Sequence, residues 1–181
     1  MKRILIYLLM AVLLGSCVSP AYAESSISHI KGMNAIGFRA GTGLGQTFDV
    51  GILYQYHFSK RWSFLANVDF EKGKFQNAYF WGIKVYSGVE CSVWHPASWF
   101  YLHLIGDINM GYDNWENKDI DKKTSGFVLG LDLGVNFEFY AIPQLSFVLQ
   151  AQQGWDWGFY NTGGYNYFHP LFSLGIKYNF K

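Results

Sequence analysis

Large apolar residues alternate with small or polar ones along eight separate stretches of this chain. The last stretch, 172–180, is the plainest: Phe172, Leu174, Ile176, Tyr178 and Phe180 are interleaved with Ser173, Gly175, Lys177 and Asn179. Successive side chains of a β-strand point to opposite faces, so a period of two makes a ribbon with one apolar side and one polar side. A helix would need apolar residues three and four apart. The same parity runs over about 34–43 (Ile36, Phe38, Ala40), 47–58 (Phe48, Val50, Ile52, Tyr54) and 61–71 (Trp62, Phe64, Val68, Phe70). It continues over about 78–93 (Trp81, Ile83, Val85, Val89), 99–112 (Leu102, Leu104, Ile108, Met110), 126–140 (Leu129, Leu131, Leu133, Val135) and 145–157 (Phe147, Leu149, Ala151).

Eight amphipathic strands close most simply into a barrel, and two barrels share this period. A lipocalin-like soluble barrel turns the apolar side inward. A transmembrane barrel turns it outward to lipid, where an unpaired backbone edge costs several kcal/mol and closure is obligatory. Three features favour the second. The polar parity is dotted with glycine (Gly37, Gly51, Gly88, Gly130, Gly134, Gly175), which suits a narrow eight-stranded interior better than a solvated face. Charges of both signs sit on that parity, namely Arg39, Asp49, Asp69, Lys84, Glu90, Asp107, Asp132, Glu138 and Lys177, and opposite charges can pair in a tight lumen. Aromatics gather toward strand ends (Trp62, Trp81, Trp99, Tyr140, Trp155, Phe180), where lipid meets headgroups. The expected fold is an all-β, eight-stranded antiparallel up-and-down transmembrane β-barrel after an N-terminal signal peptide.

Connections are expected to differ between the two rims. Ser59-Lys60, residues 95–98 with Pro96 and residues 141–144 with Pro143 read as tight turns. Residues 111–125 and 156–167 read as longer polar and aromatic loops. Short turns on one side and long loops on the other fit an outer-membrane barrel with both termini in the periplasm. The N-terminus agrees with export. Lys2-Arg3 precedes an apolar run over 4–15, too short for a spanning helix of roughly 20 residues. Ala21-Tyr22-Ala23 fits a secretory cleavage site, while Leu14-Gly15-Ser16-Cys17 fits a lipobox that would lipidate Cys17; both remain open. The division is then 1–23 signal peptide, 24–33 periplasmic extension and 34–181 barrel. Cleavage after Ala23 leaves Cys91 as the lone cysteine, on the apolar parity, as a lipid-facing or packing residue.

Charged residues make up 15% of the chain against roughly 25% in an average soluble domain, and the net charge of +1 provides no basis for nucleic-acid binding. A side-chain-filled interior argues against a general pore. The five histidines do not sit at ligand spacing on a shared strand face, so no metal or cofactor is expected. His169 and Asp156 flank one rim across the last hairpin, but no nucleophile at recognisable spacing completes a lipid-modifying enzyme, and none is expected. Gly41-Thr42-Gly43 lacks the helix that a phosphate site requires, and the acids of 113–123 lack the glycine and final glutamate of a calcium loop. The most binding-like surface is Trp157, Phe159, Tyr160, Tyr165 and Tyr167, aromatics among Gly and Asn.

The terminal aromatic strand resembles the C-terminal signal of Gram-negative barrels. The whole chain resembles the TraO family of Bacteroidetes conjugative-transposon proteins, through its signal and length, Lys31-Gly32-Met33-Asn34-Ala35-Ile36-Gly37-Phe38-Arg39-Ala40-Gly41, Leu149-Gln150-Ala151-Gln152-Gln153-Gly154-Trp155, and Gly175-Ile176-Lys177-Tyr178-Asn179-Phe180. Lys181 departs from a strictly aromatic terminus. The resemblance implies an envelope component of a DNA-transfer apparatus, with outer-membrane lipid and other transfer proteins as partners. The competing expectation is a free-standing OmpX- or OmpW-like surface barrel for adhesion or envelope integrity.

Overall fold

The computed structural model describes residues 29–43, 46–75, 78–117 and 122–181. The expected signal peptide, with Ala23 and Cys17, lies outside the described residues. Eight strands follow in chain order: β1 (Asn34–Gly43), β2 (Gln46–His57), β3 (Trp62–Phe75), β4 (Ala78–Ala97), β5 (Phe100–Asn117), β6 (Lys122–Ile142), β7 (Leu145–Tyr160) and β8 (Gly163–Phe180). Each pairs antiparallel with its neighbour, and β8 returns to β1 from Asn34↔Phe180 to Gly43↔Leu171, which closes the barrel. Closure leaves no free ladder edge, the condition that lipid imposes.

Side-chain parity follows the alternation in the sequence. Leu133 and Leu174 on the outer face are 69% and 66% exposed, whereas Arg39 and Lys84 on the inner face are each 1% exposed. This inverts a water-soluble protein, in which apolar residues are the buried class. Trp62, Trp94 and Trp99 ring the outside near one end, and Tyr79, Trp81 and Trp155 ring it near the other. Inner-face glycines make room for carboxylates: a methyl group on Gly51 would overlap Asp69, and one on Gly88 would overlap Asp107.

The expected long loops are not loops. Pairing of β5 with β6 continues out to Asn117↔Lys122, and pairing of β7 with β8 to Tyr160↔Gly163, so only residues 161 and 162 separate the last two strands. The barrel wall itself is tall on this side, with strands of 20, 18, 21, 16 and 18 residues from β4 to β8. A tilted crossing strand needs only about 9–11 residues. Beyond the apolar belt aromatics such as Phe80 and Trp115 turn inward and polar residues such as Asn114 and Glu116 take the outer parity, so the hydrophobic alternation fades while the hydrogen-bonded ladder persists. Ordinary pairs such as Glu116 with Lys123, 3.1 Å apart, decorate this extension.

At the opposite end, the turn rim, the connections are 58–61, 98–99 and 143–144. Pro143 sits in its turn as expected, whereas Pro96 falls inside β4, which runs on to Ala97 through register shifts after Ser92 and Trp94. Irregular pairing tolerates a residue without an N–H. Cys91 keeps the outward parity but is buried between its cross-strand partners Trp62 and Leu104, so it packs and does not face lipid. The chain before β1 folds back over this rim. Gly32 N–H donates to the His57 carbonyl and His57 N–H to the Met33 carbonyl, with Gly32 at φ +86°, a value that glycine adopts without penalty.

Candidate functional site

The lumen contains three tiers of charge. In the middle tier Arg39 from β1 grips Asp69 from β3 through two guanidinium hydrogen bonds, Nε to Oδ1 at 3.1 Å and Nη2 to Oδ2. The Arg39 guanidinium also lies 5.3 Å from the Tyr86 ring. Asp49 faces the same lumen, with neither carboxylate oxygen hydrogen-bonded. Asp107 and Asp132 stand directly opposite each other across β5 and β6; Gln152 donates to the first at 3.0 Å and Asn109 to the second.

The tier nearest the turn rim is built on Glu138 and Glu90. Lys177 Nζ and Ser146 Oγ both reach Glu138 Oε1, at 2.7 and 2.6 Å. Lys177 also donates to Gln55 at 2.6 Å, and Gln55 and Asn136 donate to Glu90 at 2.6 and 2.9 Å. Three histidines meet here. His103 lies between the two glutamates, Nδ1 3.3 Å from Glu90 and Nε2 3.2 Å from Glu138. His29, from the segment before β1, stacks on Tyr101 at 4.0 Å and sits edge-on to His57 at 4.6 Å. Burial lowers the pKa of the His29 imidazole below its ordinary value, against the opposing pull of Glu138. The cavity left inside this tier is about 10 Å³, room for about one water.

The tier at the far rim opens into a cavity of about 730 Å³. That volume falls among small-molecule sites, which run roughly 300–1,000 Å³. Its floor is Lys84, which donates to Asp156 at 2.9 Å, lies 3.4 Å from Glu71 and touches His169 Nδ1 at 3.1 Å. Tyr160 and Tyr167 both donate to Asp113 Oδ2, at 3.3 and 2.7 Å. The walls are aromatic. Phe80 and Trp115 are cross-strand partners and stack at 4.6 Å, and Tyr165 and Tyr167 complete the mouth.

Parity divides the five aromatics that the sequence grouped as one surface. Tyr160, Tyr165 and Tyr167 line the cavity, while Phe159 points outward and Trp157 stacks on Trp155 on the outside. Glu71, Asp113, Phe80 and Trp115 belong to the site and were not singled out by sequence. Asp113 and Trp115 lie in the stretch read as a loop, and only the β4–β5 register brings Phe80 to Trp115. His169 and Asp156 do meet, at 3.7 Å, with Lys84 bonded to both; the three form an ion-pair cluster. Among the described residues the lumen buries nine carboxylates against Arg39, Lys84 and Lys177, so histidines and neutral donors carry much of the compensation.

No protein-family profile and no curated protein matches the chain. Solved structures do. The N-terminal β-barrel domain of Pseudomonas aeruginosa OprF aligns with a TM-score of 0.61 at 10% identity, covering 83% of this chain and 98% of that one. Neisserial surface protein A aligns at 0.62 and 14% identity, with 83% and 98% covered. Ail, the attachment invasion locus protein of Yersinia pestis, aligns at 0.52 and 15% identity, with 83% and 100% covered. The chain therefore has the fold of the small eight-stranded outer-membrane barrels.

Proposed function

We propose that this protein is a non-enzymatic outer-membrane barrel that works as an anchored interaction module and not as a pore, with both termini in the periplasm and the aromatic cavity facing out. One observation carries this reading: an apolar exposed belt surrounds a lumen that is packed shut below an open, aromatic-walled cavity. The belt suits hydrocarbon, the packed tiers oppose passage of solutes, and the cavity offers tyrosines and a tryptophan, side chains that make large contacts at little entropic cost.

Its setting, on this reading, is the envelope part of a conjugative DNA-transfer apparatus. The TraO-like segments support that setting, and the cavity would receive a segment of another transfer protein. A free-standing adhesive barrel is the second reading, favoured by the shared fold with Ail. Photo-crosslinking from position 165 in intact cells tests the two, with membrane flotation as the companion measurement. Crosslinks to transfer-apparatus proteins support the first reading, and crosslinks only to host-surface or matrix molecules support the second. A chain that floats with no membrane and stays monomeric without detergent overturns both.

A further inference from the structure

We propose that His29, His103 and Glu138 form a binding site for a zinc-class divalent cation that fastens the N-terminal segment into the turn-rim mouth of the barrel. The three residues come from three separate parts of the chain: the segment before β1, β5 and β6. Their ligand atoms lie within 4.8 Å of one another. The side chains of His29 and His103 are 3% and 1% exposed and that of Glu138 is 0% exposed, so water does not serve these atoms. His29 Nε2, His103 Nε2 and Glu138 Oε2 all lack a hydrogen bond. Buried polar atoms without partners are uncommon, and here three of them converge.

The surroundings are those of a ligand set. Glu138 Oε1 is taken by Lys177 and Ser146, which leaves Oε2 turned toward both imidazoles, 3.2 Å from His103 Nε2 and 3.6 Å from His29 Nε2. Ligand atoms about 2.0–2.1 Å from a tetrahedral zinc are about 3.3 Å apart. His103 Nδ1 faces Glu90 at 3.3 Å, the carboxylate–histidine arrangement that fixes a ligand's tautomer and leaves Nε2 with its lone pair. A lone pair on Nε2 then faces a carboxylate oxygen, two acceptors that a cation between them would reconcile. His57 lies beside the set, its ring 4.6 Å from that of His29, and its Nε2 is also buried without a partner. Two imidazoles with one carboxylate suit zinc better than calcium or magnesium.

Lys177 lies on the far oxygen of Glu138 and opposes a dication. The site therefore needs Glu90 and Glu138 both ionised to hold it, and two carboxylates against one lysine leave the net charge favourable. Binding would be felt at Lys31, which is exposed two residues from His29.

The test uses the untagged chain purified from membranes in detergent, stripped with chelator and titrated with zinc chloride by calorimetry and with cobalt(II) by visible absorption. One equivalent of zinc and a tetrahedral cobalt spectrum are expected, with trypsin cleavage after Lys31 slowed at least ~10-fold by zinc. His29→Ala lies outside the strands and leaves the barrel free to fold, as mobility on unheated gels verifies. It should weaken zinc binding on the order of 100-fold, since even outer-shell substitutions cost 10–100-fold, and should abolish the protection of Lys31. His103→Gln should behave likewise, while His95→Ala in the exposed turn-rim end of β4 should match the parent. No zinc uptake by the parent would mean that His103 and Glu138 simply share a proton, and would overturn the proposal. Undiminished uptake by His29→Ala would overturn it equally.

Discussion

The two ends of one lumen differ far more than their shared parity suggests. At the turn rim, Gln55, Glu90, Asn136 and Lys177 interlock until about 10 Å³ remains, and the returning N-terminal segment packs His29 and Met33 on top. At the far rim the same inward positions surround about 730 Å³. Strand number sets the barrel's diameter alike at both ends. What differs is the filling. Long hydrogen-bonding side chains aim across the axis at one end; at the other, rings lie along the wall and the five longest strands carry that wall beyond the apolar belt. A narrow barrel can thus be packed shut at one end and open at the other.

The sharpest way to break this contrast is to remove one lysine from each end. Lys177→Met leaves Glu138 buried without its cation and should cost about 3–5 kcal/mol, the range for stripping a buried pair of one partner. Lys84→Met should cost clearly less, because Glu71, one of its two carboxylate partners, lines the open cavity. Urea titration of folding into lipid vesicles measures both, and equal losses would mean that the far tier is as dry as the near one. Next in size is the outer belt. Leu131→Arg places a cation on the exposed apolar face and should cost about 2–4 kcal/mol and block assembly, whereas Asp132→Asn, one residue on and inward, should be much milder. Similar effects from both would dissolve the distinction between wall and lumen.

Smaller effects refine the far rim. Tyr167→Phe deletes the 2.7 Å hydrogen bond to Asp113 and should cost about 1 kcal/mol, since Tyr160 still donates to the same oxygen. The same titration checks it. Glu116→Gln on the hairpin extension breaks an exposed pair with Lys123 and should change stability by less than ~0.5 kcal/mol, which would mark the extension as a platform that tolerates change.

Much of this was legible residue by residue. Arg39, Asp49, Asp69, Lys84, Glu90, Asp107, Asp132, Glu138 and Lys177 were singled out on parity alone, and all nine lie inside the barrel. Where the apolar signal stopped, reading stopped with it. Asp113 and Trp115 were assigned to a loop because above the belt aromatics such as Trp115 turn inward while polar residues such as Asn114 and Glu116 take the outer parity, which erases the apolar-out alternation. Cys91 keeps its outward parity yet is covered by Trp62 and Leu104, a fact that its own strand cannot reveal.

Alternation by itself determined the strand number, the two faces of each strand and which charges share a face, because a strand's side-chain period is a local property of the backbone; glycines, mixed charges and end aromatics turned that face inward. Only the closed structure decided which inward residues meet. Lys84 reaches Asp156 across 72 positions of sequence, and His29 reaches Glu138 from outside the strands altogether. Such meetings depend on cross-strand register and on the stagger at closure, quantities summed over eight hydrogen-bonded ladders and written in no single segment.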